Sequence, residues 1–165
     1  TWGIIGLGAI GRRVAEIARA FGAKVIYYSA SGAPAQEGYE QVDFETLLTQ
    51  SDIISVHAPL NEHTEGLINS KAFEKMKSSC IFLNLGRGPI VDEQALYNAL
   101  VRNQIAAAGL DVLCKEPMSA DNPLLKIKDS KRLLITPHIA WASVEARTHL
   151  MEIIHGQVKD FFAYD

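Results

Sequence analysis

Three places in this 165-residue chain carry residue types whose spacing could do chemistry. The first is Gly6-Leu7-Gly8-Ala9-Ile10-Gly11, which follows an apolar run and opens a helical pattern. In that context Gly6 permits a tight turn, Gly8 lets backbone approach a pyrophosphate, and Gly11 lets the helix press against the strand. The helix N-terminus then offers free N–H groups and a positive dipole end to phosphates. The second place is Arg87, flanked by Gly86 and Gly88 after another apolar run. A planar guanidinium in such a turn can clasp a carboxylate through two bonds and polarise a neighbouring keto oxygen. The third is His138, which follows the last strand-like run, at the carboxyl edge where open α/β sheets bind ligands. Its imidazole can exchange a proton near neutral pH.

The elements that must position these groups alternate along the chain. Nearly continuous apolar runs at residues 2–5, 24–28, 53–57, 80–84, 106–112 and 133–135 read as strands buried on both faces. Helical patterns lie between them, and this alternation predicts the α/β class with a parallel sheet. Ile10, Val14, Ile17 and Phe21 recur at helical spacing opposite Arg12, Arg13, Glu16 and Arg19, with Gly22 at the end. The pattern predicts a helix that docks on the sheet through its apolar stripe. Asp43 and Asp92 read as N-caps of helices at 44–49 and 93–103. Val144, Met151, Ile154, Val158 and Phe161 form one stripe of a long closing helix, and residues 29–38 and 115–130 read as loops.

Composition narrows the function classes. With 48% hydrophobic residues, 165 residues suffice for one substantial core and not for two ordinary domains. A net charge of -3 with both signs scattered leaves no basic stripe for nucleic acid. The apolar runs stop short of the ~18 residues of a membrane span, and no basic stretch precedes an apolar one at the start, so neither membrane insertion nor secretion is expected. Cys80 and Cys114 have neither C-x-x-C spacing nor a paired His pattern. Both read as small buried groups in a reducing cytoplasm, with no metal site.

The glycine loop lacks its usual companion. An Asp or Glu about 20 residues onward normally accepts from the ribose 2′-hydroxyl and selects NAD. Here the second strand ends Val25-Ile26-Tyr27-Tyr28-Ser29-Ala30-Ser31, without a carboxylate. Ser29 can still bond the ribose, and with Ser31 can tolerate a 2′-phosphate, although no Arg stands nearby. NAD is the expected cofactor and NADP stays open.

Five blocks then point to one family. They are residues 6–11, Ser55-Val56-His57-Ala58-Pro59-Leu60, residues 83–92 around Arg87, Gly109-Leu110-Asp111-Val112 with Glu116-Pro117, and Thr136-Pro137-His138-Ile139-Ala140-Trp141. Together, in this order and over essentially the whole chain, they resemble the D-isomer-specific 2-hydroxyacid dehydrogenases. Residues 137–147 are most similar to the glycerate dehydrogenase or hydroxypyruvate reductase branch. The resemblance implies a Rossmann-type doubly wound parallel sheet with helices on both faces. Residues 1–165 would be the dinucleotide-binding domain, with the substrate domain largely outside this chain.

The activity so implied is hydride transfer between a D-2-hydroxy acid and its 2-keto acid, either glycerate and hydroxypyruvate or glycolate and glyoxylate. That reaction needs a base, a cation for the carboxylate and a placed nicotinamide. By resemblance His138 is the acid/base, Glu116 orients it and favours its imidazolium form, and Arg87 holds the carboxylate. Asp111 matches the acceptor for the nicotinamide carboxamide, with helix capping as a rival role. The implied cofactor contacts are Gly6, Gly8, Ala9, Ile10, Gly11, Ser29, His57, Ala58, Pro59, Leu85, Gly86, Arg87, Asp111, His138 and Ala140. Trp141 reads either as a border of the substrate pocket or as a packing or interface anchor, and His63, His149 and His155 as surface or packing residues. A homodimer through the nucleotide domain is implied. Similar sequences also occur among transcriptional corepressors, so an NAD(H)-sensing binding protein of the same fold is the alternative.

Overall fold

The computed structural model describes residues 1–163, and over them strand and helix alternate as the hydrophobic pattern requires. Strands β1 (Trp2–Ile5), β2 (Val25–Tyr28), β3 (Glu40–Gln41), β4 (Ile53–Val56), β5 (Ile81–Asn84), β6 (Ala107–Leu110) and β7 (Leu133–Ile135) form one parallel sheet ordered β3-β2-β1-β4-β5-β6-β7. The helices are α1 (Ala9–Ala20), α2 (Phe44–Gln50), α3 (Ser70–Lys75), α4 (Glu93–Val101) and α5 (Val144–Phe162). From β1 the chain steps outward to β2 and β3, then returns to lay β4 against the other side of β1. A doubly wound sheet opens a crevice at that reversal, outside the carboxyl ends of its strands.

The six strands expected from apolar runs all form. The seventh, β3, is two polar residues paired to Ile26 and Tyr27 at the sheet edge, so hydrophobicity carries no trace of it. Helix α3 also escapes the pattern; Asn69 starts it by accepting from the Ala72 N–H at 3.2 Å. Asp43 and Asp92 cap as expected, accepting from Thr46 N at 2.7 Å and from Gln94 N and Ala95 N at 2.9 Å each. Helix α4 ends at Val101, two residues before the expected Asn103, which turns to φ 56°.

Pleating sends neighbouring residues of each strand to opposite faces. Ile5 of β1 joins the larger core, where Leu47 and Leu48 of α2, Phe73 of α3, and Leu96 and Leu100 of α4 meet Ile54, Phe82 and Leu110 of the sheet. Ile4 joins the smaller core, in which Ala15 and Ala18 of α1 cover Val25 and Tyr27. The helices therefore cover both faces, but unequally.

Two of these expectations need correction, the docking face of α1 and the burial of Cys114. Helix α1 docks through Gly11, Ala15 and Ala18, leaving Ile10, Ile17 and Phe21 exposed. Closeness is the reason: a Cβ on Gly11 would collide with the Gly6 carbonyl oxygen, so only small residues fit beneath the helix. Ile10, Val14 and Ile17 of the apolar stripe instead wall a cavity. Helix α5 carries its predicted stripe, yet none of its described residues is buried. Cys80 is buried as expected, whereas Cys114 is exposed in the loop after β6, with its Sγ 3.6 Å from the Val91 carbonyl oxygen.

Candidate active site

The site groups lie on loops leaving the carboxyl ends of strands and on the first turn of α1. After β1, Gly6 takes φ 93°, and a Cβ there would lie 2.8 Å from Ala58 N. The loops after β1 and β4 thus touch backbone to backbone. Gly8 caps α1 with no side-chain bond, has open space where a Cβ would stand, and no acidic residue occupies the first turn. Free N–H groups and the helix dipole make this a cradle for a pyrophosphate.

A cavity of about 300 Å³ continues from the cradle, lined by Gly6, Gly8, Ser29, Ser31, Gln36 and Ala58 among others. The Ser29 and Ser31 hydroxyls lie 3.2 Å apart there. Gln36 ties the 29–38 loop down, donating its Nε2 to the Leu7 carbonyl at 2.9 Å and its backbone N–H to the Tyr27 hydroxyl at 2.9 Å. His57, after β4, lines this cavity and two neighbouring ones. Its Nε2 is 3.1 Å from Ser55 Oγ, which also accepts from Trp2 Nε1 at 2.9 Å. Burial pushes the His57 pKa down and favours the neutral ring, suiting a lining residue.

After β5, buried Asn84 shapes the next turn by accepting from Gly86 N at 3.1 Å and donating to the Arg87 carbonyl at 3.0 Å. Gly88 packs so closely on Leu113 that no side chain fits there. Arg87 is left exposed; its guanidinium bonds the Gly86 carbonyl at 2.8 Å and forms no ion pair among the described residues. It can still clasp an anion.

The loop after β7 holds His138. His138 sits at φ 55°, a left-handed conformation costing a non-glycine residue about 1–3 kcal/mol. Asp111, after β6, holds that loop. Its Oδ1 accepts from Thr136 Oγ1 at 2.5 Å and Ile139 N at 2.9 Å, and its Oδ2 from Ala140 N at 2.8 Å. Burial pushes the Asp111 carboxyl up, but these bonds outweigh it and hold the group below the usual carboxylate range. It caps no helix, and a carboxylate's four or so acceptor positions leave room for one further donor.

His138 Nδ1 lies 2.8 Å from Glu116 Oε2. The Leu113 N–H, 2.9 Å from Glu116 Oε1, and then the His138 ring keep Glu116 ionised below its usual range. An ionised carboxylate only accepts, so Nδ1 carries a proton and Nε2 is the ring nitrogen left free of this pair. Trp141 donates its Nε1 to the His138 carbonyl at 2.8 Å and remains exposed. Cavities of about 590 and 580 Å³ flank His138 and Asp111. The second also contains Arg87, Leu85, Ala140, Ile10 and Trp141, so the imidazole of His138, the guanidinium of Arg87 and α1 share one space.

Most residues singled out in the sequence therefore converge on the crevice. His63 and His149 are exposed and meet only neighbouring glutamates, at 3.7 Å each, and His155 is exposed on α5. Sequence reasoning missed Gln36, Asn84 and Thr136. Asn84 and Thr136 stand inside quoted blocks as polar residues at strand ends, a signal that could have found them. Gln36 has none. Desolvation pushes the buried Cys80 thiol up to about 12; for Cys114, an exposed residue whose Sγ is partly covered, desolvation and then the neighbouring Glu93 and Asp92 carboxylates push it up to about 11, so both thiols stay protonated near neutral pH.

A parallel sheet reversing at a glycine loop that opens a helix defines a Rossmann-type dinucleotide domain. Residues 1–140 match the family described as D-isomer specific 2-hydroxyacid dehydrogenase, NAD binding domain, and the chain belongs to that family. A hydroxypyruvate reductase of Blautia hydrogenotrophica is 46% identical over 161 residues, 96% of this chain and 49% of the relative. A D-lactate dehydrogenase structure from Aquifex aeolicus, complexed with NAD and lactic acid, superposes with TM-score 0.89 at 32% identity, covering 99% of this chain and 54% of that one. An acyclic imino acid reductase in complex with NADPH and D-Arg gives TM-score 0.88 at 40% identity, covering 99% and 51%. The chain spans about half the length of the relatives it matches.

Proposed function

We propose that this chain is the dinucleotide-binding part, residues 1–165, of an NAD(P)-dependent oxidoreductase interconverting a D-2-hydroxy acid and its 2-keto acid. The observation that carries the reading is the His138–Glu116 pair at 2.8 Å, in one cavity system with Arg87 and the N-terminus of α1. Gly6, Gly8 and the free N–H groups opening α1 would hold the pyrophosphate of a nicotinamide dinucleotide, which would supply the hydride donor or acceptor. In the direction of oxidation, His138 Nε2 takes the hydroxyl proton while Glu116 stabilises the imidazolium that results. In reduction the proton returns to the keto oxygen. Arg87 holds the substrate carboxylate and polarises the keto oxygen. Asp111 keeps the His138 loop in place and has an acceptor position left for the carboxamide.

Hydroxypyruvate and glyoxylate are the proposed keto acids, on the strength of the hydroxypyruvate reductase relative and of glyoxylate reductases 41% and 44% identical to this chain. We assign the remaining substrate contacts to the other half of a full-length protein of the relatives' size. The exposed apolar stripe of α5 supports a homodimer through this domain, and no described helix is long and apolar enough to cross a membrane. A cytoplasmic site is proposed from the free thiols. The test is NADH consumption by the full-length protein with each acid. His138→Asn should lower kcat by about 10²–10⁴-fold and leave NADH binding intact. Unchanged turnover in that variant would remove His138 from the mechanism.

A further inference from the structure

We propose that the adenosine end of the dinucleotide site is built without charge and accepts both NAD and NADP forms, with Ser29 and Ser31 as the specificity-determining side chains. The inference rests on the dinucleotide reading above and adds what the site does with the 2′ position.

Selection of NAD uses a carboxylate that accepts from the ribose hydroxyl and repels a phosphate, and selection of NADP uses a cation that rewards one. The cavity of about 300 Å³ at the end of β2 has neither, for no Asp, Glu, Lys or Arg lines it. The charges of adjoining segments are directed elsewhere: Arg19 donates to the Gly38 carbonyl at 2.6 Å and stacks 4.4 Å over the Tyr39 ring, while Lys24 pairs with Glu40 at 3.1 Å. Glu37 belongs to the same loop but lies outside the lining.

What remains is neutral and two-way. The Ser29 and Ser31 hydroxyls, 3.2 Å apart, can each donate or accept, so the same pair can exchange bonds with a 2′-hydroxyl or donate to a 2′-phosphate. The backbone N–H groups of Ala30 and Ser31 have no acceptor among the described residues and add donors for an anion. The loop's shape does not depend on a charge arriving, because Gln36 on Leu7 and Tyr27, and Gln41 Nε2 on the Ala33 carbonyl at 3.3 Å, already hold it.

Trp2 and Trp141, the chain's two tryptophans, both line the adjoining cavity, so quenching of their fluorescence reports binding without turnover. Parallel titrations with NADH and NADPH should give dissociation constants within about tenfold of each other. Ser29→Asp should weaken NADPH at least about tenfold relative to NADH, and Ala30→Arg should shift the ratio the other way. A larger ratio in the unsubstituted protein, or a ratio that neither substitution moves, overturns the inference. Binding of neither dinucleotide overturns the cofactor reading and the inference with it.

Discussion

The two ends of the crevice are made in opposite ways. At the β1 end the site consists of absences: Gly6 and Gly11 where a Cβ would collide, Gly8 where none stands, and no charge in the lining beyond. At the β7 end it consists of side chains in exact register, with Asp111 and Glu116 both committed to the loop that carries His138. A ligand common to many reactions needs shape and free N–H groups, which backbone supplies. Proton transfer and anion binding need titratable groups at fixed distances, which only side chains supply.

Substitutions can break this division of labour, and the largest effect is expected at the side-chain end. Removing the guanidinium with Arg87→Met should lower the kcat/KM measured on the full-length protein by about 10²-fold, since each bond to a charged group contributes about 1.5–3 kcal/mol. NADH affinity should change little. An equal loss in both would move Arg87 from the anion clamp to the phosphate cradle. At the backbone end, Gly6→Ala should reverse the pattern. Its Cβ meets Ala58 backbone from a φ of 93°, so stability should fall by about 1–3 kcal/mol and dinucleotide affinity with it. Thermal unfolding and the fluorescence titration would show both, and normal values in each would refute the close-approach argument.

A finer test separates positioning from chemistry. Asp111→Asn keeps shape but replaces one acceptor oxygen with a donor facing a backbone N–H, so the His138 loop should loosen. We expect kcat to fall about tenfold with a displaced pH profile, the sign that His138 geometry and electrostatics have changed. A fall in KM alone would contradict a positioning role. The smallest effect is on acid stability. Glu116 and Asp111 both have folded pKa values below their ordinary 4.5 and 3.8. Such groups stabilise the fold above the ordinary value and lose that contribution as pH falls through the lowered one. Glu116→Gln should therefore lower stability slightly near neutrality, where the ionised Glu116 contributes in full, and flatten the acid limb below about pH 4.5, so that the variant and the unsubstituted protein converge as pH falls.

The same contrast explains how much was legible in advance. The glycine loop could be read because its spacing encodes a local geometry, strand to turn to helix, within six residues. Strands buried on both faces announce themselves as apolar runs, and the Asp43 and Asp92 caps act within three residues of themselves. The pairing of Glu116 with His138 was legible only through resemblance, because 22 residues and a strand separate them. Gln36, 29 residues from the Leu7 carbonyl it braces, gave no signal at all.

By itself, then, the sequence determined the alternation of elements, the phosphate cradle, the missing acid at Ser29 and the residue types available for acid/base and anion binding. Only the tertiary structure decided which face of α1 meets the sheet, that Asp111 restrains His138 at positive φ, and that Arg87 shares a cavity with both. The reason is range. Propensity, caps and glycine geometry act over a turn or two of chain, whereas packing and side-chain pairing depend on which loops the sheet order brings to one edge.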